Sequence, residues 1–383
     1  MRNIRYANMQ FPYNNNMLCV QSSSDKWLMA LFSTTKMPNS DKGKSQNAKV
    51  GGGKNKGRIE WIDVAKGISI ILVVLGHTGF NGFLSDWLRS FRMPLFFIVS
   101  GMVFNYSKYP NLLDFLKRRR TTILRPYAIF SLTVFVWLHM LNTTYSPLVS
   151  ELYSGWISYA LWFIPVLVLA QMLYYVIRKY APSKIWTLVG IIMFSVLGYM
   201  CMRYGFKFWF KLEVVFTACL FYGIGNLIKN AFVHFFESAK TYLICIIMVC
   251  SFMVSLVASI LTEPKMDLCS NILGDVYFSY SAAIFGTLFM ICFSKILCQS
   301  SSRVSQLLVE CFKYTGRNSY VILAYHQAIG LTLITLFLPL GLPATISSIC
   351  RHILLWVSLV CIIYLINNYM PWVLGKNKPE KMN

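Results

Sequence analysis

The sequence predicts an all-α polytopic membrane protein, a bundle of about ten transmembrane helices with both termini in the cytoplasm. Apolar residues make up 56% of the 383-residue chain and charged residues only 13%, against about 25% in soluble domains. The apolar residues are concentrated in runs of about 20, the length of a helix that crosses a bilayer. Most of the basic residues fall in alternate connections between these runs, as expected when those connections share one side of a membrane.

Ten segments are predicted as spans, and the rest of the chain as connections or tails. The spans are approximately 61–80, 91–106, 122–142, 158–178, 185–202, 208–228, 241–262, 277–297, 318–340 and 344–369. Residues 1–56 are predicted to form a flexible basic cytoplasmic tail. Residues 57–375 form the predicted transmembrane domain, and residues 376–383 a second cytoplasmic tail.

The net charge of +22 is interpreted as a topology signal and not as a nucleic-acid surface. Of the 36 Lys and Arg residues, 28 fall in six segments on the predicted cytoplasmic side, whereas 143–157 has none. The sequence therefore predicts a lipid bilayer as partner and no nucleic acid. The 11 cysteines are single, with no C-x-x-C pair, so no zinc or other metal site is predicted.

The first span carries three polar residues that are costly in a bilayer and therefore candidates for function. Asp63 and Lys66 are spaced for an i, i+3 ion pair. His77 lies 11 residues after Lys66, which on a helix places it about 20° away on the same face and about 16 Å farther along the axis. Two structural interpretations stay open, namely that the Asp63–Lys66 pair caps the membrane entry and that His77 is only hydrogen-bonded.

Three further motifs accompany the polar residues of the first span. Arg92 precedes the run Met-Pro-Leu-Phe-Phe-Ile-Val-Ser-Gly, residues 161–167 read Leu-Trp-Phe-Ile-Pro-Val-Leu, and residues 316–326 run from Gly-Arg-Asn-Ser to a final His. With the first span, these motifs resemble the membrane acyltransferase-3 family from about residue 58 onward. The resemblance is closest to the subgroup similar to fucose 4-O-acetylases. It implies that 57–375 is an integral membrane O-acyltransferase domain.

The resemblance also implies roles for the first-span residues. His77 matches the histidine thought to act on the acceptor hydroxyl, and an imidazole suits a general base because it titrates near neutrality. Lys66 matches the basic residue of the motif, where many members carry Arg. Because Lys lacks the bidentate fork of Arg, this departure puts in doubt how strongly it would hold a phosphate or carboxylate. Asp63 is expected to orient Lys66, which makes Asp63, Lys66 and His77 the predicted catalytic residues.

The donor implied by the resemblance is a cytoplasmic acyl-CoA, usually acetyl-CoA. Its phosphates need cations, and the basic cluster Arg118, Arg119 and Arg120 with Arg125 is one candidate source. The general excess of Lys and Arg in cytoplasmic loops of membrane proteins explains the cluster equally well. Of the four residues, Arg125 is the predicted substrate-binding one, because it begins the third span beside a Pro-Tyr pair.

Other residues are predicted near the acceptor. Arg92 stands where many relatives carry His and is expected to hold a carbonyl or acceptor oxygen near the outer end of its span. Trp162 and the residues up to Pro165 are expected to form a kinked wall of the cavity. His326 closes the family's N-S-x₆-H pattern, whose first residues, Asn318–Ser319, also suit a helix N-cap.

The predicted function is transfer of an acetyl group from cytoplasmic acetyl-CoA to a hydroxyl of a carbohydrate, with His77 as general base. The carbohydrate is expected to be a cell-surface polysaccharide or a lipid-linked sugar, and the location the inner cell membrane. A transporter or flippase for such a sugar is the main alternative, although no internal two-fold repeat is visible. A non-catalytic membrane sensor or assembly partner is a third interpretation.

Overall fold

The computed structural model describes residues 59–77, 82–141 and 159–376. Within these ranges the chain is helical, and the only β-type pairing is a bridge between Asp267 and Ile272. The α-helices, numbered in chain order, are α1 (Glu60–Gly76), α2 (Phe83–Val103), α3 (Leu112–Arg119), α4 (Arg125–Met140), α5 (Phe163–Tyr180), α6 (Lys184–Arg203), α7 (Leu212–Ser238), α8 (Thr241–Leu261), α9 (Val276–Gln299), α10 (Arg303–Arg317), α11 (Ser319–Phe337) and α12 (Ala344–Tyr369). The all-α prediction is confirmed. The predicted tail 1–56, and residues 377–383 of the second tail, lie outside the described residues.

Eight segments of the described chain are long and apolar enough to cross a membrane, which makes this a multi-pass membrane protein. They comprise α3 joined to α4, and the helices α5, α6, α7, α8, α9, α11 and α12. The other two predicted spans correspond to α1 and α2. Helix α1 has 17 residues, about 25 Å, and α2 contains Asp86, Arg89 and Arg92. Both are buried along most of their length, so the two polar helices lie inside the bundle.

The second predicted span is wrong in its position. Helix α2 starts at Phe83 and ends at Val103, whereas the predicted span was 91–106. The charged residues at its start do not oppose helix formation, because Asp86 and Arg89 form an i, i+3 ion pair of 3.2 Å. Arg92 consequently lies near the middle of its helix and not towards its outer end.

The connection between the predicted spans 277–297 and 318–340 contains helix α10, which was not predicted. One side of α10 is apolar and exposed, with Val304, Leu307 and Leu308 among its residues. The opposite side carries Val309, which is buried. This amphipathic pattern is typical of a helix that lies at a membrane interface and is too polar to span.

Helices α1 and α10 approach so closely that two glycines are required at their crossing. A Cβ atom on Gly67 would collide with the main chain of Phe312. On the other helix, a Cβ on Gly316 would lie 2.5 Å from the main-chain oxygen of Asp63. The contact holds α10 against the half of α1 that carries the Asp63–Lys66 pair.

Replacing Gly67 with alanine is expected to lower the free energy of unfolding by about 1–3 kcal/mol, because the two main chains must separate. The measurement is thermal unfolding of the purified protein in detergent. Gly330→Ala on α11 is the matched control, since no atom lies within 4 Å of the added Cβ. The control is expected to leave stability unchanged or to raise it by about 0.5–1 kcal/mol. Equal effects of the two substitutions would contradict the tight crossing.

Helix α2 is held just as closely by α7. A Cβ on Gly225 would collide with the main chain of Ile98, and one on Gly101 with the main chain of Tyr222. The side chain of Asn226 donates to the carbonyl oxygens of Gly101 and Phe104, at 3.0 and 2.8 Å, near the end of α2. These contacts fix the axial position of α2 and hence of Arg92.

Candidate active site

His77 follows the last residue of α1 and is half-buried. His77 therefore lies at the end of its own helix but beside the interior of α11, where it contacts His326 and Gln327. Arg92 stands nine residues into α2, and His326 seven residues into α11, so both lie about 10–14 Å from the first residue of their helix. The site is therefore inside the helix bundle.

Arg92 approaches the end of α1 through a contact with Gly76, the residue before His77. Its side chain is 1% exposed, and its guanidinium occupies the place where a Cβ on residue 76 would be. Only glycine leaves room for the guanidinium so close to the end of α1. The sequence prediction that Arg92 lies near His77 stays a prediction, because the contact is with the preceding residue.

His326 and Gln327, consecutive on α11, both approach His77. The ring centroids of His77 and His326 are 5.4 Å apart, and the rings are tilted by 57°. The side-chain nitrogen of Gln327 lies 3.3 Å from Nδ1 of His77. His326 is 2% exposed, and its Nδ1 lies 2.9 Å from the carbonyl oxygen of Ile322.

Two imidazoles thus pack against each other inside the bundle, and a buried guanidinium contacts the residue before one of them. Imidazoles can take up and return a proton near neutral pH, and a guanidinium can stabilise negative charge that develops on an oxygen. Within the described residues, no group of three His, Cys, Asp or Glu side chains could hold a metal ion. The arrangement suits acid–base transfer of a group between oxygen or sulfur atoms.

Asp63 and Lys66 form the ion pair that their spacing predicts, but far from the histidines. Their charged atoms are 3.9 Å apart, and the two residues are 5% and 3% exposed. Lys66 precedes His77 by 11 positions, about 16 Å along the helix. The structure therefore separates the three predicted catalytic residues into an ion pair at one end of α1 and an imidazole at the other.

Trp162 is fully buried in the 3₁₀ turn before α5, and this turn packs against α11. Pro165 lies in the first turn of α5, and the kinked wall stays a prediction. Lys211 has its Nζ 5.8 Å from the ring centroid of Trp162 and donates to the carbonyl oxygen of Cys269 at 2.8 Å. This buried lysine was not among the predicted site residues.

The basic cluster lies where α3 passes through a π-helical turn, Arg120–Leu124, into α4. Arg119 is turned inward and is 4% exposed. Its guanidinium lies over three aromatic rings, at 6.0 Å from Phe104, 5.8 Å from Tyr109 and 4.9 Å from Phe115. Arg120 and Arg125 are exposed and Arg118 half-buried, so these three, and not Arg119, remain candidates for phosphate contacts.

Other polar side chains of the helices bond mainly to main-chain atoms, and the N-cap predicted for Asn318 is not formed. Asn318 precedes α11, but its side chain does not cap that helix; it donates to the carbonyl oxygen of Tyr314 at 2.9 Å and accepts from Asn367 at 2.7 Å. Glu213 accepts from the main-chain N–H of Phe208 at 3.0 Å. Arg351 and His352 bond to carbonyl oxygens of their own helix, those of Ser347 and Ser348.

Gln327 and Gly76 belong to the site but were not predicted. Each adjoins a residue that was, since Gln327 follows His326 and Gly76 precedes His77. Adjacent helical positions point about 100° apart, so proximity along the chain does not show that Gln327 reaches the same place. Only the packing of α11 against α1 shows it.

The fold and the site define a polytopic helical membrane protein with an imidazole–guanidinium centre inside its bundle. A family model described as an acyltransferase domain, that of the acyltransferase-3 family, matches residues 59–368. The chain therefore belongs to this family, and it is an acyltransferase. The match confirms the family resemblance and extends from the start of α1 almost to the end of α12. No curated protein and no solved structure matches the chain.

Proposed function

We propose that this acyltransferase moves an acetyl group from cytoplasmic acetyl-CoA to a hydroxyl of a carbohydrate, in the inner cell membrane. The observation that carries the proposal is the packing of the His77 and His326 rings inside the bundle, with the buried Arg92 guanidinium against Gly76. Polar residues at this depth are costly and are retained for function. The carbohydrate, a cell-surface polysaccharide or a lipid-linked sugar, is suggested by the sequence resemblance to fucose 4-O-acetylases.

The donor is proposed to bind from the end of α1 that carries the Asp63–Lys66 pair. The exposed Arg125 and its neighbours at the α3–α4 junction supply further cations for the CoA phosphates. From Lys66 to His77 the distance along the helix is about 16 Å. An extended pantetheine arm can cover such a distance and present the thioester beside the imidazoles.

At the imidazoles, the acceptor oxygen attacks the thioester carbonyl carbon as its proton is removed, and CoA leaves as a thiol. Arg92 stabilises the negative charge on the carbonyl oxygen. The base is one of the two imidazoles, and the family resemblance implies His77. An acceptor that enters from the side opposite to the donor makes this a transfer across the membrane. Trp162 and His326 are proposed to bind the substrate there.

The test is the amount of O-acetyl ester on glycans of cells that carry the wild type or His77→Ala at matched expression. Loss of the esters in the variant is expected, because the family resemblance implies that His77 is the base that takes the proton of the acceptor hydroxyl. His352→Ala on α12 is the control, since that ring bonds its own helix at the Ser348 carbonyl, and it is expected to keep the wild-type ester level.

Esters that persist in His77→Ala at the wild-type level would contradict the proposal, as would their absence in the wild type. A transporter would instead leave acetyl-CoA unchanged, so release of CoA by the purified protein separates the two functions. Acetylation found only on cytoplasmic sugar intermediates would contradict entry of the acceptor from the opposite side.

A further inference from the structure

The chain turns back onto the bundle after α12. A 3₁₀ turn, Pro371–Leu374, is followed by Gly375, whose φ is +66°. A Cβ atom on Gly375 would lie 2.7 Å from the main-chain oxygen of Thr121, which belongs to the π-helical turn between α3 and α4. Glycine is required here both by the left-handed conformation and by the close approach. The contact holds the residues after α12 against the α3–α4 junction.

Lys376 follows this glycine and is linked by side chains to the start of α11. Its Nζ donates to the side-chain oxygen of Asn367 at 3.2 Å, and the amide of Asn367 donates to that of Asn318 at 2.7 Å. Two residues before Asn318, Gly316 packs against the main chain at Asp63–Lys66. The contacts therefore run without a break from Lys376 to the end of α1 that carries the buried ion pair.

The α3–α4 junction meets the same region from the other side. The hydroxyl of Tyr320, the second residue of α11, donates to the carbonyl oxygen of Ile123 at 2.9 Å. Arg120 begins the π-helical turn and Arg125 follows it, and both are exposed. Lys376 thus lies among cations at the end of the bundle where the donor is proposed to bind.

The ammonium of Lys376 has little to balance its charge. Within the described ranges it makes one hydrogen bond, to the neutral amide of Asn367, and no ion pair. The side chain is half-buried, and burial lowers the pKa of Lys376 with no nearby carboxylate to offset it. A cation partly withdrawn from water favours an anion as its neighbour. Phosphate oxygens are strong acceptors for an ammonium group.

We propose that Lys376 binds a phosphate group of the CoA donor, beside the exposed arginines of the α3–α4 junction. The inference rests on the proposed function and adds a donor-binding residue to it. Lys376 is the first residue of the predicted second tail and lies beyond residues 59–368, which the family model matches. The side chains of Asn367 and Asn318 position its ammonium.

The test is the dissociation constant of CoA, measured by titration calorimetry on full-length protein in phosphatidylcholine nanodiscs. Lys376→Gln keeps an amide donor for Asn367 but removes the charge, and the dissociation constant is expected to rise about 10-fold. Lys376→Arg keeps the charge and is expected to stay within about twofold of the wild type. Lys184→Gln is the matched control, because it removes an exposed lysine at the start of α6, and no change is expected.

Pantetheine, which has the arm of CoA but none of its phosphates, separates binding from packing. It is expected to bind the wild type and Lys376→Gln equally. Equal weakening of CoA and pantetheine would show that Lys376 only supports the packing and would overturn the assignment, as would an unchanged dissociation constant of CoA in Lys376→Gln. An effect that requires phosphatidylglycerol in the nanodisc would assign the phosphate to a lipid headgroup and would also overturn it.

The same titrations distinguish this inference from the proposed function. A wild type that binds CoA with the expected dependence on Lys376, but forms no ester, would contradict the proposed acetyl transfer and support the donor site. A wild type that forms ester and binds CoA equally well as Lys376→Gln would support the transfer and overturn the site. A wild type that does not bind CoA would overturn both.

Discussion

Replacing Arg92 with glutamine is expected to lower acetyl transfer by about 10²–10³-fold, the loss typical when one donor to a reacting oxyanion is removed. The guanidinium is 1% exposed and is packed against Gly76, directly before His77. Glutamine keeps a polar group of moderate size but removes the positive charge that the oxyanion needs. The measurement is the initial rate of ester formation in membranes with equal amounts of protein.

Arg89→Gln is the matched control, because Arg89 lies one helical turn earlier on α2 and pairs with Asp86 at 3.2 Å. It is expected to keep nearly the wild-type rate. Gly76→Ala is a second variant, since its added Cβ would displace the Arg92 guanidinium without changing any charge. A wild-type rate in both Arg92→Gln and Gly76→Ala would show that Arg92 only supports the packing.

Replacing Asp63 with alanine is expected to lower the free energy of unfolding by about 3–5 kcal/mol, because it leaves the buried ammonium of Lys66 without its carboxylate. The pair is 3.9 Å apart, and Lys66 is 3% exposed. The double substitution Asp63→Leu with Lys66→Met is expected to recover most of this loss, since it removes both charges. Denaturant unfolding in detergent measures the three variants against the wild type.

Glu60→Ala provides the control on the same helix. The carboxylate of Glu60 bonds to Lys313 of α10 at 2.8 Å, but its side chain is 52% exposed. Water screens such a pair, so its removal is expected to cost only about 0–1 kcal/mol. If Asp63→Ala proves no more costly than Glu60→Ala, the Asp63–Lys66 pair does not stabilise the bundle.

The sequence predicted more of the fold than of the site. Eight of the ten predicted spans match helices that are long and apolar enough to cross a membrane, and the Asp63–Lys66 pair follows from its spacing alone. The start of α2 could not be predicted from apolarity, because its first turns carry charges that a buried helix tolerates when they pair. Helix α10 was not predicted for a similar reason, because it is amphipathic and too polar to be recognised as a membrane span.

Which arginines of the basic cluster are buried and which are exposed could likewise not be predicted from the sequence. Four arginines within eight positions look equivalent in the sequence, yet Arg119 is buried over aromatic rings while Arg120 and Arg125 are exposed. The π-helical turn between α3 and α4 changes the direction in which successive side chains point. Such a turn leaves no clear pattern in composition or spacing.

The sequence by itself determined the membrane class, the all-helical fold and the polar stripe of α1. The reason is local: in hydrocarbon every backbone group must bond within its own segment, so an apolar run of about 20 residues forms a helix. Only the tertiary structure decided which polar groups meet. His77 and Gln327 are 250 positions apart, and they come together because α11 packs against α1.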